Sequence, residues 1–389
     1  MTPRTLIVLG LTLLLAGLPA PARAESEREW GGFVAAELRA FDGDTQPSLV
    51  AEPEFEWRGP NDRNRFAFKL FARGDSLDDE RTHADVRELY WERNGRSWEL
   101  RAGISKVFWG VTESQHLVDV INQTDLVENP DGEDKLGQPM IKFTTIRNWG
   151  IVDVFLLPGF RERTFAGLDG RLRGPLVVDT DLTTYESSAG DEHLDIAARW
   201  SHTFGVFDLG VAGFKGTNRE PRLLPSGAVL APFYDQMEQV GVDLQATVGD
   251  WLWKLESIRR TDSVETFVAA TAGLEYTFWG VRDSSIDVGL LVEYLWDERG
   301  DRAATPFDDD WFVGSRLAFN DTADSTVLAG MIFEPESGAR SGLVEARRRF
   351  GAHWIVEAEL RTFHGGSRFD PIAAVARDDH VLLSVQRHF

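Results

Sequence analysis

The 389-residue chain contains no cysteine, so neither a disulfide framework nor a thiolate metal site can organise it. Beyond Leu18, no stretch approaches the roughly twenty consecutive apolar residues that a membrane-crossing helix needs. Basic residues are in the minority: 41 Lys and Arg stand against 63 Asp and Glu, for a formal charge of −22. A general nucleic-acid binder presents a basic face, and this balance excludes one. No Pro/Ser-rich linker or shift in composition divides the chain, so a single large architecture is expected. Catalytic signatures are missing too. The eight histidines are scattered without a His-Glu-x-x-His pair, and neither Gly-x-Ser-x-Gly nor a phosphate-cradling glycine loop occurs. His116 near Ser114, and His193 near Ser187 and Ser188, read as solvated loop histidines. The clusters Asp308-Asp309-Asp310 and Asp131-Gly132-Glu133-Asp134 lack calcium-loop spacing and read as hydrated carboxylates. No catalytic residue, metal ligand or cofactor is therefore expected.

What is present begins with an address. Arg4 precedes an apolar run from Leu6 to Leu18, Pro19 and Pro21 break it, and Ala22-Arg23-Ala24 offers small residues for cleavage. Residues 1–24 read as a secretory signal peptide, with 25–389 as the mature protein. Removing Arg4 and Arg23 takes the formal charge to −24.

Strict alternation dominates the rest. In residues 285–296, Ile286, Val288, Leu290, Val292, Tyr294 and Trp296 share one face, opposite Asp287, Gly289 and Glu293. In 353–363, Trp354, Val356, Ala358 and Leu360 oppose Glu357, Glu359 and Arg361. In 238–248, Val240, Val242, Leu244 and Ala246 oppose Gln239, Asp243 and Gln245. Such segments recur to a total of about eighteen strands, with about sixteen the nearest alternative. Odd-numbered connections are mostly long (109–137, 158–191, 215–235), and even ones are tight, as at Asn94-Gly95-Arg96, Asn148, Gly249 and Gly351. That asymmetry predicts an all-β transmembrane antiparallel up-and-down barrel with short periplasmic turns and long external loops. Trp57, Trp91, Trp98, Trp149, Trp200, Trp251, Trp253, Trp279 and Trp354 lie near the tight turns, and Trp296 and Trp311 at the other ends, as interfacial girdles would.

The polar face would line a lumen. Glu52, Glu54, Glu56, Lys69, Arg73, Glu99, Arg101, Lys142, Asp195, Arg199, Asp243, Lys254, Glu256, Glu293, Arg316, Glu345, Glu357, Glu359 and Arg361 belong to it. Their charges would either bias ion passage or pair with neighbours inside a wet interior. One passage breaks the alternation: VFWGVTESQHLVDVINQTDLVENPDGEDKLG, residues 107–137. Thr112-Glu113-Ser114-Gln115 has capping-box form, which predicts a short helix with Leu117, Val118 and Ile121 on one face. Such an apolar stripe gains by packing, and the inner wall is the nearest surface. Segment 109–137 is thus expected to fold inward and narrow the pore. Trp109, Glu113, Asp119, Asn122, Asp125 and Glu128 would then stand at the constriction.

The terminal HVLLSVQRHF, with Val381, Leu383 and Val385 on one face and Phe389 last, resembles the closing strand of Gram-negative outer-membrane proteins. In those, the terminal aromatic residue is read by the barrel-assembly machinery; Arg387 departs from the usual pattern. The inward third loop resembles the porin family in arrangement. Trp109-Gly110 followed by Ile121-Asn122 and Asp125 resembles a group of uncharacterised porin-like barrels loosely allied to alginate-export porins, although Gln123 replaces the proline of their motif. The resemblance implies passage of small solutes through the outer membrane, with lipid, lipopolysaccharide and the assembly machinery as partners. A carrier of polysaccharide or hydrophobic compounds, or a closed barrel acting as adhesin, scaffold or lipid enzyme, are the alternatives. The acid-leaning interior disfavours alginate, and neither the solute nor the oligomeric state follows from the residues.

Overall fold

The computed structural model describes residues 26–303, 305–365 and 371–389; the signal-peptide reading falls outside them. Eighteen antiparallel strands form one closed sheet. They begin with β1 (Glu27–Phe41), β2 (Thr45–Arg58), β3 (Asn64–Asp75), β4 (His83–Asn94), β5 (Trp98–Ser105) and β6 (Gln138–Arg147). Next come β7 (Gly150–Pro158), β8 (Leu194–Phe204), β9 (Phe207–Thr217), β10 (Gln236–Val248), β11 (Trp251–Thr261) and β12 (Thr266–Phe278). The circuit ends with β13 (Asp287–Asp297), β14 (Asp309–Ala318), β15 (Thr326–Phe333), β16 (Arg340–Phe350), β17 (Trp354–His364) and β18 (His380–His388). Each strand pairs with its sequence neighbours, and β18 closes on β1 from Phe33↔His388 to Phe41↔His380. No edge is left unpaired in the barrel, which is how such sheets avoid edge-to-edge association. Among the described residues no helix is long and apolar enough to cross a membrane.

Alternation sorts the side chains as expected. On β13, Leu290 and Trp296 are exposed outside, while Leu291, Glu293 and Leu295 are buried inside. Two-residue turns such as Gly249-Asp250 join strands at one end, where the positive φ of Gly249 (63°) suits the hairpin twist. The other end carries the long connections 106–137, 159–193 and 218–235. The expected asymmetry has exceptions: Asp42-Gly43-Asp44 is tight at the long-loop end, and 279–286 and 319–325 are longer at the short-turn end. Strand β5 stops at Ser105, where the sequence alternation runs on to Phe108, and β2 starts at Thr45, five residues before the alternation that is clear from Val50.

Two features were not foreseen. Register slips between Lys69 and Leu70, so Arg87 on β4 is an extra, unpaired residue. Such a bulge aims one more side chain inward, and Arg87 is buried there. A small second sheet joins the long loops, with Arg222–Ser226 antiparallel to Val229–Tyr234, and the latter parallel to Thr184–Tyr185.

Candidate functional site within the barrel

The lumen is not uniformly polar, and this corrects the sequence-based picture. In its long-loop half, the inner face of β6 to β12 carries Met140, Phe155, Leu157, Ala212, Phe214, Met237, Ile258 and Phe267, all buried. Segment 106–137 packs on that wall. Trp109, Val118, Val120 and Ile121 share one cluster with these side chains, and Ile121 is fully buried. Burying such side chains is worth about 1.5–3 kcal/mol each, enough to hold a loop against an inner wall.

The predicted helix does not form: 106–137 contains no helical residue. Its backbone donors go to the barrel instead. The β11 carboxylate of Glu256 accepts the N–H groups of Val111 (2.7 Å), Thr112 (3.0 Å) and Val118 (3.1 Å). The β13 carboxylate of Glu293 accepts those of Glu113 (2.9 Å) and Ser114 (2.8 Å), and the Ser114 hydroxyl at 2.6 Å. Charge-assisted bonds of this kind are about twice as strong as neutral ones. These carboxylates, rather than an intrahelical ladder, fix the backbone at 111–118, so the capping-box signal loses to tertiary anchors.

Arginines hold the opposite side. Arg73 reaches Glu128 at 2.7 Å and Glu37 at 2.5 Å, and Arg87 reaches Asp125 at 2.6 Å. Arg39 and Arg81 donate to the Glu128 carbonyl. Arg361 on β17 meets Asp131 at 2.6 Å, and Arg316 on β14 meets Glu113 at 2.6 Å. The segment is thus tied to walls all round the barrel interior. Connection 159–193 lies against it, through Thr164 to Asp125 (2.6 Å) and Arg163 to Gln123 (3.3 Å). It reaches across the long-loop end, where Arg171 joins Asp44 to Asp378.

Of the six proposed constriction residues, only Glu113 keeps appreciable exposure. Trp109, Asn122, Asp125 and Glu128 are buried, and Asp119 is shielded, with Lys135 3.5 Å away. Asn122 acts as a staple at the loop base: it accepts the Val107 N–H (2.8 Å) and donates to the carbonyls of Ser105 (3.0 Å) and Leu136 (2.8 Å). Asn122→Ala leaves three buried groups unpaired, and an equilibrium unfolding series is expected to show a loss of about 2–4 kcal/mol.

Most wall charges pair across strands: Lys69 with Glu52 (3.2 Å) and Glu54 (3.4 Å), Arg101 with Glu92 (2.6 Å), Lys142 with Asp153 (3.3 Å) and Arg199 with Asp243 (2.6 Å), and Arg101 also meets Glu99 (3.6 Å) on its own strand. Glu357 faces Arg347 at 3.3 Å, and Glu359 faces Arg361 at 2.8 Å. Two acidic groups could crowd round a cation, His83 with Asp125 and Glu128, and Asp131 with Glu345 and Glu359. In both, arginine already engages the carboxylates.

Neither loop histidine is free in solvent. His193 lies 2.7 Å from Asp195, and His116 lies 3.1 Å from Glu133 and 3.9 Å from Glu256. Burial alone would drive the His116 ring neutral, but the two carboxylates outweigh it and lift its pKa to about 10. A folded-state pKa above the unfolded value contributes stability that is complete below about pH 6.5 and lost as pH rises through about 10. Amide exchange of residues 110–118 is expected to accelerate between pH 7 and 10 beyond its intrinsic base catalysis. His116→Gln should abolish that excess.

Beside the segment lies an open chamber of about 630 Å³, bounded by residues 108–116 and 130–133, by the inner face of β14 to β17, and by Ile372 and Val375. Its outer wall is apolar, with Phe312, Leu328, Ile332, Leu343 and Phe363, and its inner rim acidic, with Glu113, Asp131, Glu133 and Glu345. Alternation placed Glu345 and Arg361 inside, and the same period of two carries their apolar neighbours Leu343 and Phe363 inward with them.

No known protein family matches the chain, and no curated protein matches it. Similar solved structures are barrels. An outer-membrane protein of Vibrio cholerae, OmpT in its trimer form, is 11% identical over 94% of this chain and 99% of its own, with a TM-score of 0.45. A mutant porin of Rh. blastica is 12% identical over 93% and 100%, with a TM-score of 0.44. A structure described as showing asymmetric conductivity of engineered proteins is 13% identical over 93% and 100%, at 0.45. Likeness at this level says nothing of solute or mechanism, and the alliance with alginate-export porins gains no support from it.

Proposed function

We propose that this protein is an outer-membrane channel for small solutes, with segment 106–137 setting what passes. The observation that carries this reading is the segment's attachment across the barrel interior, by buried carboxylates on one side and arginines on the other. The outward faces support a membrane setting. Val313 is exposed on β14, between Val292 and Met331 on its neighbours. Exposed Trp30, Trp149, Trp251, Trp253, Trp279 and Trp354 mark the short-turn end, and Trp296 and Trp311 the other. An apolar band between two aromatic girdles matches a bilayer core and its interfaces. The tight turns then face the periplasm and the long loops the outside. Lipid, lipopolysaccharide and the assembly machinery, which would read Phe389, are the partners of that setting.

Liposome swelling tests the channel: vesicles holding the folded barrel should admit small hydrophilic solutes and exclude larger ones, and vesicles as tight as protein-free controls would overturn it. The membrane setting has its own test. Val313→Arg puts a charge at mid-band, and folding into bilayers should weaken by about 2–4 kcal/mol; an unchanged folding equilibrium would argue against lipid contact there.

A further inference from the structure

The chamber beside the loop has a chemistry of its own, and we infer that it binds amphipathic organic cations, an aromatic or aliphatic body joined to an ammonium group. As the solute class of the channel this rests on the preceding reading; as a binding site it stands on the chamber itself.

The apolar wall is built into the strands. Gly314 and Gly330 face each other in the β14–β15 register. A Cβ on Gly314 would come within 2.7 Å of the Phe312 ring, and one on Gly330 within 2.3 Å. The ring therefore lies over two residues without side chains. Phe312 joins Leu291, Leu295 and Ile332 in one cluster, with Phe307 packed against it. Leu328, Leu343 and Phe363 extend the wall. A flat ring or short alkyl chain buried there leaves water without surrendering a hydrogen bond.

The opposite rim settles the sign of the charge. Glu113 is already held by Arg316 (2.6 Å) and Lys254 (3.8 Å); among the other described lining residues, Asp131, Glu133 and Glu345 stand against Arg361 and His116 as the basic groups. Both bases are already engaged. Arg361 is shared between Asp131 (2.6 Å), Glu359 (2.8 Å) and Glu345 (3.2 Å), and His116 is held by Glu133 (3.1 Å). An anion entering the chamber would meet guanidinium and imidazolium donors already matched to carboxylates. A cation meets carboxylates in excess, and the side chains of Glu133 and Glu345 remain 55% and 43% exposed. The volume of about 630 Å³ lies in the usual range for small-molecule sites.

The full-length barrel in zwitterionic nanodiscs is titrated with benzyltrimethylammonium, benzenesulfonate, benzyl alcohol and tetramethylammonium, with binding read by calorimetry. The same compounds are added to planar bilayers to read block of conductance. Benzyltrimethylammonium should bind about tenfold or more tighter than the other three, because only it uses both wall and rim. Its affinity should fall with added salt. Glu345→Gln combined with Glu133→Gln should remove most of the advantage over benzyl alcohol, and Leu343→Ser most of that over tetramethylammonium. Heat-modifiable migration confirms that each variant is folded. Equal binding of cation and sulfonate, equal binding with and without the ring, or no binding at all would overturn the site. A barrel that conducts but neither binds nor is blocked loses the site and keeps the channel. One that binds the ring cation yet passes no ions keeps the site and loses the channel.

Discussion

Replacing residues 113–135 with a short Gly/Ser linker raises the single-channel conductance of the reconstituted barrel severalfold. An eighteen-strand closure is wide enough to leave an aqueous path unless loops fill it, and this segment crosses the interior, fastened to strands on both sides. Its apolar residues, including Val118, Val120 and Ile121, are buried against the wall rather than wetted. Without them, the inner faces of Phe155, Phe214 and Ile258 meet water, so the variant should also be less stable, and its folded state needs checking by heat-modifiable migration. Conductance unchanged in a folded variant would show that the segment does not limit passage.

The second large effect concerns the fastening. Glu256→Ala with Glu293→Ala removes the acceptors of Val111, Thr112, Glu113, Ser114 and Val118 N–H groups in one step. Stranding buried donors costs about 1–3 kcal/mol each, so the loop should detach rather than keep them. Amide exchange at 111–118 should accelerate by two or more orders of magnitude, and global stability should drop by about 3–5 kcal/mol. Glu275→Ala is the control. It lies on the inner face too, but its ion-pair partner Lys254 is 3.9 Å away, and its loss should cost less than about 1 kcal/mol. Equal exchange in the double variant and the control would mean that apolar packing alone holds the loop.

The barrel was legible because alternation repeats along its strands and gives them a predominantly apolar outward face. Even the bulge left a trace: outward residues run Ala84, Val86, then Leu89, Trp91, a change of phase at Arg87. What alternation cannot report is the composition of the inner face at one height. Phe155, Leu157, Phe214 and Phe267 each read as one more apolar residue beside apolar neighbours, and only the register stacks them into a wall. The helix at 112–121 was misread because its local signal was sound but its competitors, Glu256 and Glu293, lie over a hundred residues away. His116 meets its partners, Glu133 in the same segment and Glu256 on β11, only once the segment has folded against the wall. The sheet formed by 184–185, 222–226 and 229–234 has strands too short for a periodic pattern to register.

Glu256 and Glu293 grip the peptide backbone, and a carboxylate that binds main-chain amides is indifferent to which side chain each amide belongs to. Val111 can therefore be exchanged while the ribbon stays where it is, whereas Val118 is also held by its buried side chain and Glu113 by Arg316; proline would be refused at each of them, for want of an N–H. The barrel carries, in effect, an interchangeable reading head on a fixed mount. On the proposed channel reading, the tip of the segment, and with it the choice of solute, can change without rebuilding the wall that holds it.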